Sequence, residues 1–112
     1  MAVHFNTRTP KKLLAAYKKA VDDGYVTTWS YDKEGDFTHT EEQWSKKAWL
    51  RPKIKEEEEL VLYILSPRET KLSSELYAIY HGQFIESMLR HCDSLFSDGR
   101  ASAMPEQGDM VG

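Results

Sequence analysis

The chain has 112 residues, with 15 Lys and Arg against 18 Asp and Glu, and a formal net charge of -3 at neutral pH. Hydrophobic residues make up 40% of the chain and charged residues 29%, which excludes the hydrophobic-poor composition of a disordered protein. A chain of this size is typically one domain with a modest core, so we expect it to fold by itself without a large internal substrate cavity.

Cysteine content and hydropathy restrict the compartment. Cys92 is the one cysteine of the chain, which excludes an internal disulfide framework and is compatible with a reducing compartment. Residues 1–10 lack the continuous apolar segment of a signal peptide, and no stretch approaches the roughly 18 apolar residues that a membrane span needs. We therefore expect a cytoplasmic protein that does not bind a membrane.

The charges are distributed unevenly along the chain. Residues 1–55 contain eleven Lys and Arg against seven Asp and Glu, a net charge of +4, whereas residues 56–112 contain four against eleven, a net charge of -7. Such a difference favours either steering of a charged partner or contact between oppositely charged elements of the fold, and the second is more common. A protein dedicated to duplex DNA is normally more basic.

The chain starts with a segment without a hydrophobic period, residues 1–8, which we expect to be a loose arm. Thr9 followed by Pro10 is typical of a helix N-cap and first turn. Apolar residues then recur at helical spacing as far as Gly24, a natural C-cap, while lysines fall largely at other positions. The apolar face of this first helix consists of Leu13, Leu14, Tyr17 and Val21.

Four strands are predicted in the middle of the chain. Residues 25–31 alternate with period two, and strand-type residues return over 36–40 after a polar turn with Gly35, which predicts a hairpin. The third strand spans residues 47–54. The fourth spans residues 60–65, a short apolar run that is typical of a buried strand.

Local sequence features affect the predicted bounds of the third strand. Residues 40–43 match the capping-box pattern, so we expect a single helical turn there, anchored by Trp44. Pro52 cannot donate a ladder hydrogen bond, which predicts a bulge, an edge position or an early end of the strand. The acidic run at residues 56–59 is typical of a solvated hairpin tip.

The longest predicted element is a second helix, capped by Ser73 or Ser74 and ending near Phe96. Its apolar surface is wider than one sheet contact requires, which favours self-association. Residues 98–112 are rich in small and polar residues and predict a disordered tail. The apolar positions of the helix are Leu76, Tyr77, Ile79, Tyr80, Phe84, Ile85, Met88, Leu89, Cys92, Leu95 and Phe96.

This order of elements predicts an α+β fold, α-β-β-β-β-α. The sheet is expected to be an antiparallel four-stranded meander with both helices packed on one face, because a single sheet must bury its apolar side. The domain spans residues 9–97, between the arm at 1–8 and the tail at 98–112. The uncovered face of the sheet is expected to display several large aromatic residues from the set Trp29, Tyr31, Trp49 and Tyr63.

The aromatic residues favour a binding surface, because aromatic residues and Arg are the usual anchors of protein interfaces. Gly82 is a second signal, since Gly inside a helix costs about 1 kcal/mol relative to Ala; it permits either a close crossing over a strand or a ligand or symmetry mate. Our leading hypothesis is a non-catalytic protein-interaction or regulatory module, homodimeric and of unknown partner. Its proposed binding residues are Trp29, Tyr31, Trp44, Trp49, Arg51, Tyr63 and Tyr80.

Basic and aromatic residues interleave in the third strand, which suggests a second hypothesis. Bases can stack on aromatic rings while cations hold phosphates, as in single-stranded nucleic-acid platforms. Acidic residues flank the segment and no RNP motif is present, so an ordinary half-exposed strand explains the pattern as well. The residues concerned are Trp44, Lys46, Lys47, Trp49, Arg51, Lys53 and Lys55.

Catalytic and metal chemistry find little support. His81 and His91 are ten residues apart, not the three or four of helical metal ligands, so we expect no metal. Cys92 with a histidine and Asp93 has the residue types of a thiol hydrolase, but a buried structural thiol is the ordinary explanation. No nucleotide-binding glycine loop or GxSxG elbow occurs, so we expect no cofactor and no enzyme activity. A small-molecule site at His39 or His81 is a third hypothesis.

Overall fold

The computed structural model describes residues 1–56, 58–68 and 70–109. Six strands form one antiparallel sheet in the order β2-β3-β4-β5-β1-β6. The predicted α+β class is confirmed, and the predicted four-stranded meander is β2 to β5. In chain order the elements are β1 Ala2–Asn6, α1 Pro10–Asp22, β2 Trp29–Tyr31, β3 Phe37–His39, β4 Trp49–Lys55, β5 Glu59–Leu65, α2 Ser74–Cys92, a 3-10 turn at Asp93–Leu95 and β6 Asp98–Ala101.

Both helices pack on the same face of the sheet, as predicted. Tyr17 of α1 and Phe84 of α2 have ring centroids 5.0 Å apart, and both belong to the core cluster that includes the inward residues of the sheet. The hydroxyl groups of Tyr17 and Ser87 form a buried hydrogen bond of 2.8 Å between the helices. Burial, which outweighs the hydrogen bond to Ser87, raises the pKa of Tyr17, so this phenol stays protonated.

Phe84 is the centre of an aromatic cluster on the helix-covered face. Its ring centroid lies 6.2 Å from that of Phe5, 5.0 Å from that of Trp29 and 5.4 Å from that of Phe37. All these rings are at most 1% exposed. Tilted and edge-to-face contacts of this kind add stability beyond that of burial alone, so one side chain links α2 to β1, β2 and β3.

Residues 1–8 are not an arm. β1 is an interior strand that pairs with β5 on one side and β6 on the other. Val3 and Phe5 are fully buried in the helix-side core, whereas His4 points to the opposite face because strand side chains alternate. The prediction was wrong because two inward apolar residues give too short a pattern, and both pairing partners are distant in sequence.

Residues 98–112 are not a disordered tail over the described part, which ends at residue 109. β6 pairs with β1, and all four of its residues are exposed, so the strand carries no apolar pattern that a sequence could display. Ser102 then donates its backbone N–H to the carbonyl of Ala2 at 2.9 Å. Residues 110–112 lie outside the described residues.

The ends of the helices follow the local signals. Pro10 is the first residue of α1, and Gly24 follows its C-terminus with a φ of 82°, a conformation that glycine adopts at little cost. The side chain of Ser73 accepts a hydrogen bond of 3.1 Å from the backbone N–H of Leu76. α2 ends at Cys92, before the predicted end near Phe96, and continues as a 3-10 turn.

The wide apolar surface of α2 is largely consumed within the monomer. Tyr80, Phe84 and Met88 are buried, while Ile85 packs on the core at half exposure. Leu89, which was predicted to be core, is 51% exposed, because it lies on the side of the helix away from the sheet. The homodimer stays a prediction. No helix within the described residues is long and apolar enough to cross a bilayer.

The predicted strands have different bounds in the structure. β2 includes only the last three residues of the predicted segment 25–31. β4 continues through Pro52, which pairs with Leu62 of β5; β3 pairs with β4 at Leu50, so Pro52 lies where β4 is an edge on its other side. The acidic run forms the tip between β4 and β5, and Glu57 lies outside the described residues.

Replacing Phe84 by Ala should destabilise the fold by about 3 to 5 kcal/mol, because the change leaves a cavity among four rings. The free energy of unfolding from urea titration is the measurement. Leu89→Ala is the matched control on the same helix and should change that free energy by about 0.5 kcal/mol or less. Equal losses for the two variants would contradict the packing described above.

Candidate functional site

The outward residues of β4 form a basic row on the face of the sheet that the helices do not cover, here called the helix-free face. Leu50 and Ile54 pack into the helix-side core. Because side chains alternate along a strand, the odd-numbered positions face the other way. These outward positions are Trp49, Arg51, Lys53 and Lys55.

The basic row forms one wall of a groove of about 570 Å³, here called the basic groove. Tyr63 of β5 lies beside it, and the chain after β6 forms the opposite wall. Three cationic side chains and no acidic side chain are among the residues that line it. They are Arg51, Pro52, Lys53, Lys55, Tyr63, Gln107 and Gly108.

Gly108 fits closely against the ring of Tyr63. A Cβ atom at this position would lie 2.8 Å from two ring carbons, and the φ of 112° favours glycine. The contact covers the ring, so Tyr63 is only 5% exposed although it lies on the helix-free face. The ring of Tyr63 therefore forms an apolar floor of the groove although it is itself buried.

Ion pairs hold one of the three cations in place. Nε of Arg51 donates to Oδ1 of Asp36 at 3.0 Å, and Nη2 donates to Oδ2 at 2.8 Å. This two-point contact fixes the plane of the guanidinium. The hydrogen bonds to Asp36 raise the pKa of Arg51, and Glu34 lies 3.8 Å away, so part of the positive charge is already compensated.

The two lysines differ from Arg51. The ammonium of Lys55 lies near the hydroxyl of Tyr63, and this interaction is the main cause that raises the pKa of Lys55. Lys53 is exposed and has no ion pair among the described residues. Lys53 is therefore the cation of the groove with most of its bonding capacity left for a partner.

Residues 102–109, here called the C-terminal clasp, are held against the helix-free face by polar contacts. Oγ of Ser102 accepts a hydrogen bond of 3.0 Å from the backbone N–H of Ala2. Oδ1 of Asp109 accepts one of 3.1 Å from the backbone N–H of Ile64. These contacts position Gln107 and Gly108 in the wall of the basic groove.

His4 connects the clasp to the sheet. Its Nε2 lies 2.8 Å from Oε2 of Glu106, and its Nδ1 lies 3.2 Å from Oε2 of Glu59. Partial burial by itself would raise the pKa of Glu106, but hydrogen bonds with Ser102 and His4 and nearby positive charge lower it overall. The clasp is thus fastened by a carboxylate that is stabilised in its charged form.

A second cleft, of about 650 Å³, lies near the start of α1 and is less informative. Two of its polar side chains already have partners: Asn6 donates to Asp98 at 2.5 Å, and the hydroxyl of Thr7 donates to the carbonyl of Leu95 at 2.6 Å. Arg8 and Glu58, both in its lining, carry opposite charges. We therefore take the basic groove as the candidate site.

The structure separates the seven residues predicted to bind. Trp29 and Tyr80 are core residues, at 1% and 0% exposure, and the prediction that Trp29 lies on the uncovered face is wrong. Tyr31 and Trp44 pack at half exposure against the helix-side core. Three remain together on the helix-free face: Trp49, Arg51 and Tyr63.

The rings of Trp29 and Tyr80 lie in the core because they belong to the aromatic packing around Phe84. The hydroxyl of Tyr80 contacts Thr38 at 3.0 Å, so this polar atom is satisfied in the core as well. Sequence reasoning missed Gln107 and Gly108 because they lie in a segment assigned to the tail. An isolated glycine in that segment was the one signal of close packing.

The residues that were considered for catalysis lie in different surroundings, apart from one another. Cys92 is buried, and burial raises the pKa of its thiol, which opposes thiolate formation. Nε2 of His39 bonds to Oε1 of Gln83 at 2.6 Å, and its Nδ1 accepts from the N–H of Glu41. Among the described residues, one acidic cluster of metal-binding type occurs in the β2–β3 turn, at Asp32, Glu34 and Asp36.

Comparisons with known proteins do not identify a family. No protein-family model matches the chain, no curated protein sequence matches it, and no solved structure matches it. The function therefore has to be argued from the geometry and charge of the site.

Replacing Glu106 by Gln should lower the free energy of unfolding at pH 7 by about 1 kcal/mol and reduce its dependence on acid. A carboxyl with a lowered folded pKa stabilises the fold above the ordinary value of 4.5 and loses this contribution as pH falls through the folded pKa. Urea titrations at several pH values from about 3 to 7 measure the effect. The exposed Glu42→Gln serves as control; an acid dependence in E106Q equal to that of the parent chain would refute the role of Glu106.

Proposed function

We propose that this chain is a non-catalytic protein-interaction module that binds an extended acidic segment of a partner protein in the basic groove. The observation that carries the proposal is that Arg51, Lys53 and Lys55 line one groove in which no acidic side chain takes part. Charge complementarity of this kind steers association and selects partners. The expected partner therefore presents several carboxylates to β4.

The spacing of the cations supports an extended segment. Positions 51, 53 and 55 of a strand recur every two residues, about 6.6 Å apart at a rise of about 3.3 Å per residue. An extended peptide has the same period, so acidic residues at alternate positions would each face one cation. A peptide of about seven residues would match the length of β4, which has 7 residues.

Trp49 supports one end of such a complex. It is half-buried on the same face as the cations and pairs with Leu65 across the strands. A half-exposed indole next to Arg51 supplies the apolar contact that interfaces commonly use beside charged groups. Exposed ion pairs each contribute only about 0.2 to 1 kcal/mol, so the tryptophan would provide much of the affinity.

The single-stranded nucleic-acid hypothesis has less support. Trp44 packs against the helix-side core while Trp49 lies on the opposite face, so the two rings do not form one stacking platform. Gly108 covers the ring of Tyr63, which keeps bases from stacking on it. The test below includes this hypothesis as an outcome.

Two broader expectations, the oligomeric state and the cellular location, receive no support from the basic groove. A homodimer stays a prediction, for which α2 offers Leu89 as an exposed apolar residue. A cytoplasmic location also stays a prediction. Molecular mass measured in solution over a concentration series decides the first, and it should be measured before any titration so that binding is not confused with self-association.

Replacing Lys53 by Glu should weaken binding of an acidic peptide by about tenfold, equivalent to about 1.4 kcal/mol. The probe is a fluorescent heptapeptide in which Glu and Val alternate, and the measurement is fluorescence anisotropy at low and high salt. Lys12→Glu is the control, because α1 lies on the opposite face of the sheet. A peptide with Gln at every Glu position should bind more weakly than the acidic peptide, with little dependence on salt.

Two outcomes would reject the proposal. If the acidic peptide does not bind even at low salt, the basic groove is not a site for acidic segments. If a single-stranded oligothymidylate binds more tightly than the peptide, with an affinity that falls steeply as salt rises and that Lys53→Glu reduces, the nucleic-acid hypothesis replaces it.

Replacing Trp49 by Ala should weaken binding of the same peptide while the protein still unfolds cooperatively, because the indole is half-exposed outside the main core. Circular dichroism during urea titration measures the cooperativity, and anisotropy measures the affinity. Unfolding of the variant in the absence of denaturant would instead identify Trp49 as a residue on which the fold depends.

A further inference from the structure

β6 forms one edge of the sheet, and its outer side has no partner within the described residues. The order of strands ends with β1 and β6, and all four residues of β6 are exposed. The backbone N–H of Ser102 bonds to the carbonyl of Ala2, and backbone groups alternate in direction along a strand. The N–H and C=O groups of Gly99 and Ala101 therefore point outward, and such an edge is a template for another strand.

The charges of β6 are complementary to those of a second copy of the same strand. Asp98 and Arg100 flank Gly99, and both lie on the helix-free face, because they pair with Asn6 and His4 of β1. If two copies of β6 pair antiparallel with Gly99 opposite Gly99, Asp98 of each copy lies opposite Arg100 of the other. Side chains are closest at such a position, which lies between hydrogen-bonded pairs, and opposite charges there are stabilising.

Both charges keep bonding capacity for this contact. Asp98 accepts a hydrogen bond from Asn6 through Oδ1, which leaves its second oxygen. Nη2 of Arg100 lies 4.0 Å from Oε2 of Glu59, a distance longer than that of a hydrogen bond. The neighbouring register, with Gly99 opposite Ala101, would place Arg100 opposite Arg100, and like charges directly opposite are destabilising. The charges therefore select the register centred on Gly99.

An apolar stripe on α2, here called the α2 stripe, lies along the same edge. Its residues recur at helical spacing on one side of the helix and are Ala78, Gly82, Ile85 and Leu89. Ala78 and Gly82 line a cleft of about 280 Å³ together with residues 101–103, so this side of α2 borders the end of β6. Leu89 is 51% exposed, and a Cβ atom at position 82 would meet nothing within 4 Å. Packing within the monomer explains neither the exposed leucine nor the glycine.

One two-fold axis matches both features. A Cβ atom at position 99 would lie 3.0 Å from the ring of Phe5, and the ring centroids of Phe5 and Phe84 are 6.2 Å apart. An axis through Gly99, perpendicular to the sheet, therefore passes α2 near the level of Phe84. Two copies of α2 that run antiparallel across this axis place Leu89 of one copy opposite Gly82 of the other, where the missing side chain leaves room.

We propose that this chain forms a homodimer in which two copies of β6 pair antiparallel around Gly99 and the two α2 stripes pack against each other. The two six-stranded sheets then become one continuous sheet. The occupant of the edge is a second copy, because the charge pattern and the fit of Leu89 on Gly82 are both self-complementary, as an isologous interface requires. The dimer is independent of peptide binding, because β5 and β1 separate β6 from the basic row on β4.

Sedimentation velocity of the full chain over a concentration series tests the strand pairing, and the parent chain should be a dimer at high concentration. Asp98→Arg should raise the dimer dissociation constant about tenfold, because Arg then lies opposite Arg100. The double variant with Asp98→Arg and Arg100→Asp exchanges the charges, so it should associate more tightly than the single variant. A parent chain that stays monomeric, or a double variant no tighter than the single one, would overturn the proposal.

Two variants on α2 test the helix contact by the same measurement. Gly82→Leu should raise the dissociation constant about tenfold, because the new side chain collides with Leu89 of the other copy. Leu favours a helix more than Gly does, so urea titration should show no loss of stability in the monomer. Leu89→Lys should weaken the dimer by placing charge in the stripe. Arg90→Ala, exposed on α2 outside the stripe, is the control and should associate like the parent. A dimer that neither Gly82→Leu nor Leu89→Lys weakens would refute this interface.

Discussion

The pairing of β1 between β5 and β6 is the interaction on which the remaining architecture depends. β1 brings Phe5 under Phe84 on the helix-covered face and His4 toward the clasp on the other. It also provides the edge to which β6 attaches. Because β6 directs the chain over the helix-free face, this pairing positions one wall of the basic groove.

The two faces of the sheet are covered in different ways. The helix-covered face is filled by aromatic rings, and even Trp29 and Tyr80, which bear polar atoms, are buried there. The helix-free face is covered over β1 and β5 by a short segment that uses polar contacts and the close fit of Gly108 on Tyr63. Since this segment is narrow, it leaves β4 exposed with its cations.

Two histidines show how the same side chain takes different roles. His4 has a carboxylate at each ring nitrogen and serves to fasten the clasp. His81 donates to the carbonyl of Tyr77 through one nitrogen, and its other nitrogen is buried without a hydrogen-bond partner among the described residues. The difference arises from position, because the partners of His4 come from distant parts of the chain, whereas His81 bonds to a carbonyl of its own helix.

The sequence by itself determined the elements with strong local patterns. Pro10 and Gly24 bounded α1, Ser73 marked the start of α2, and the apolar run in β5 predicted its burial. Sequence reasoning also named Trp49, Arg51 and Tyr63 as binding residues, and these three lie on the helix-free face, so part of the candidate site was accessible to sequence reasoning. These features depend on neighbours within a few residues, where helical or strand periodicity acts directly.

Only the tertiary structure decided what the two ends of the chain do. Val3 and Phe5 are too few to define a strand by themselves, and exposed β6 has no apolar pattern; both are ordered by pairing with distant residues. The same is true of Trp29, which contact with Phe84 places inside, and of Gly82, whose open surroundings depend on the segment after β6. Such features depend on which distant segments meet, and local periodicity does not encode that choice.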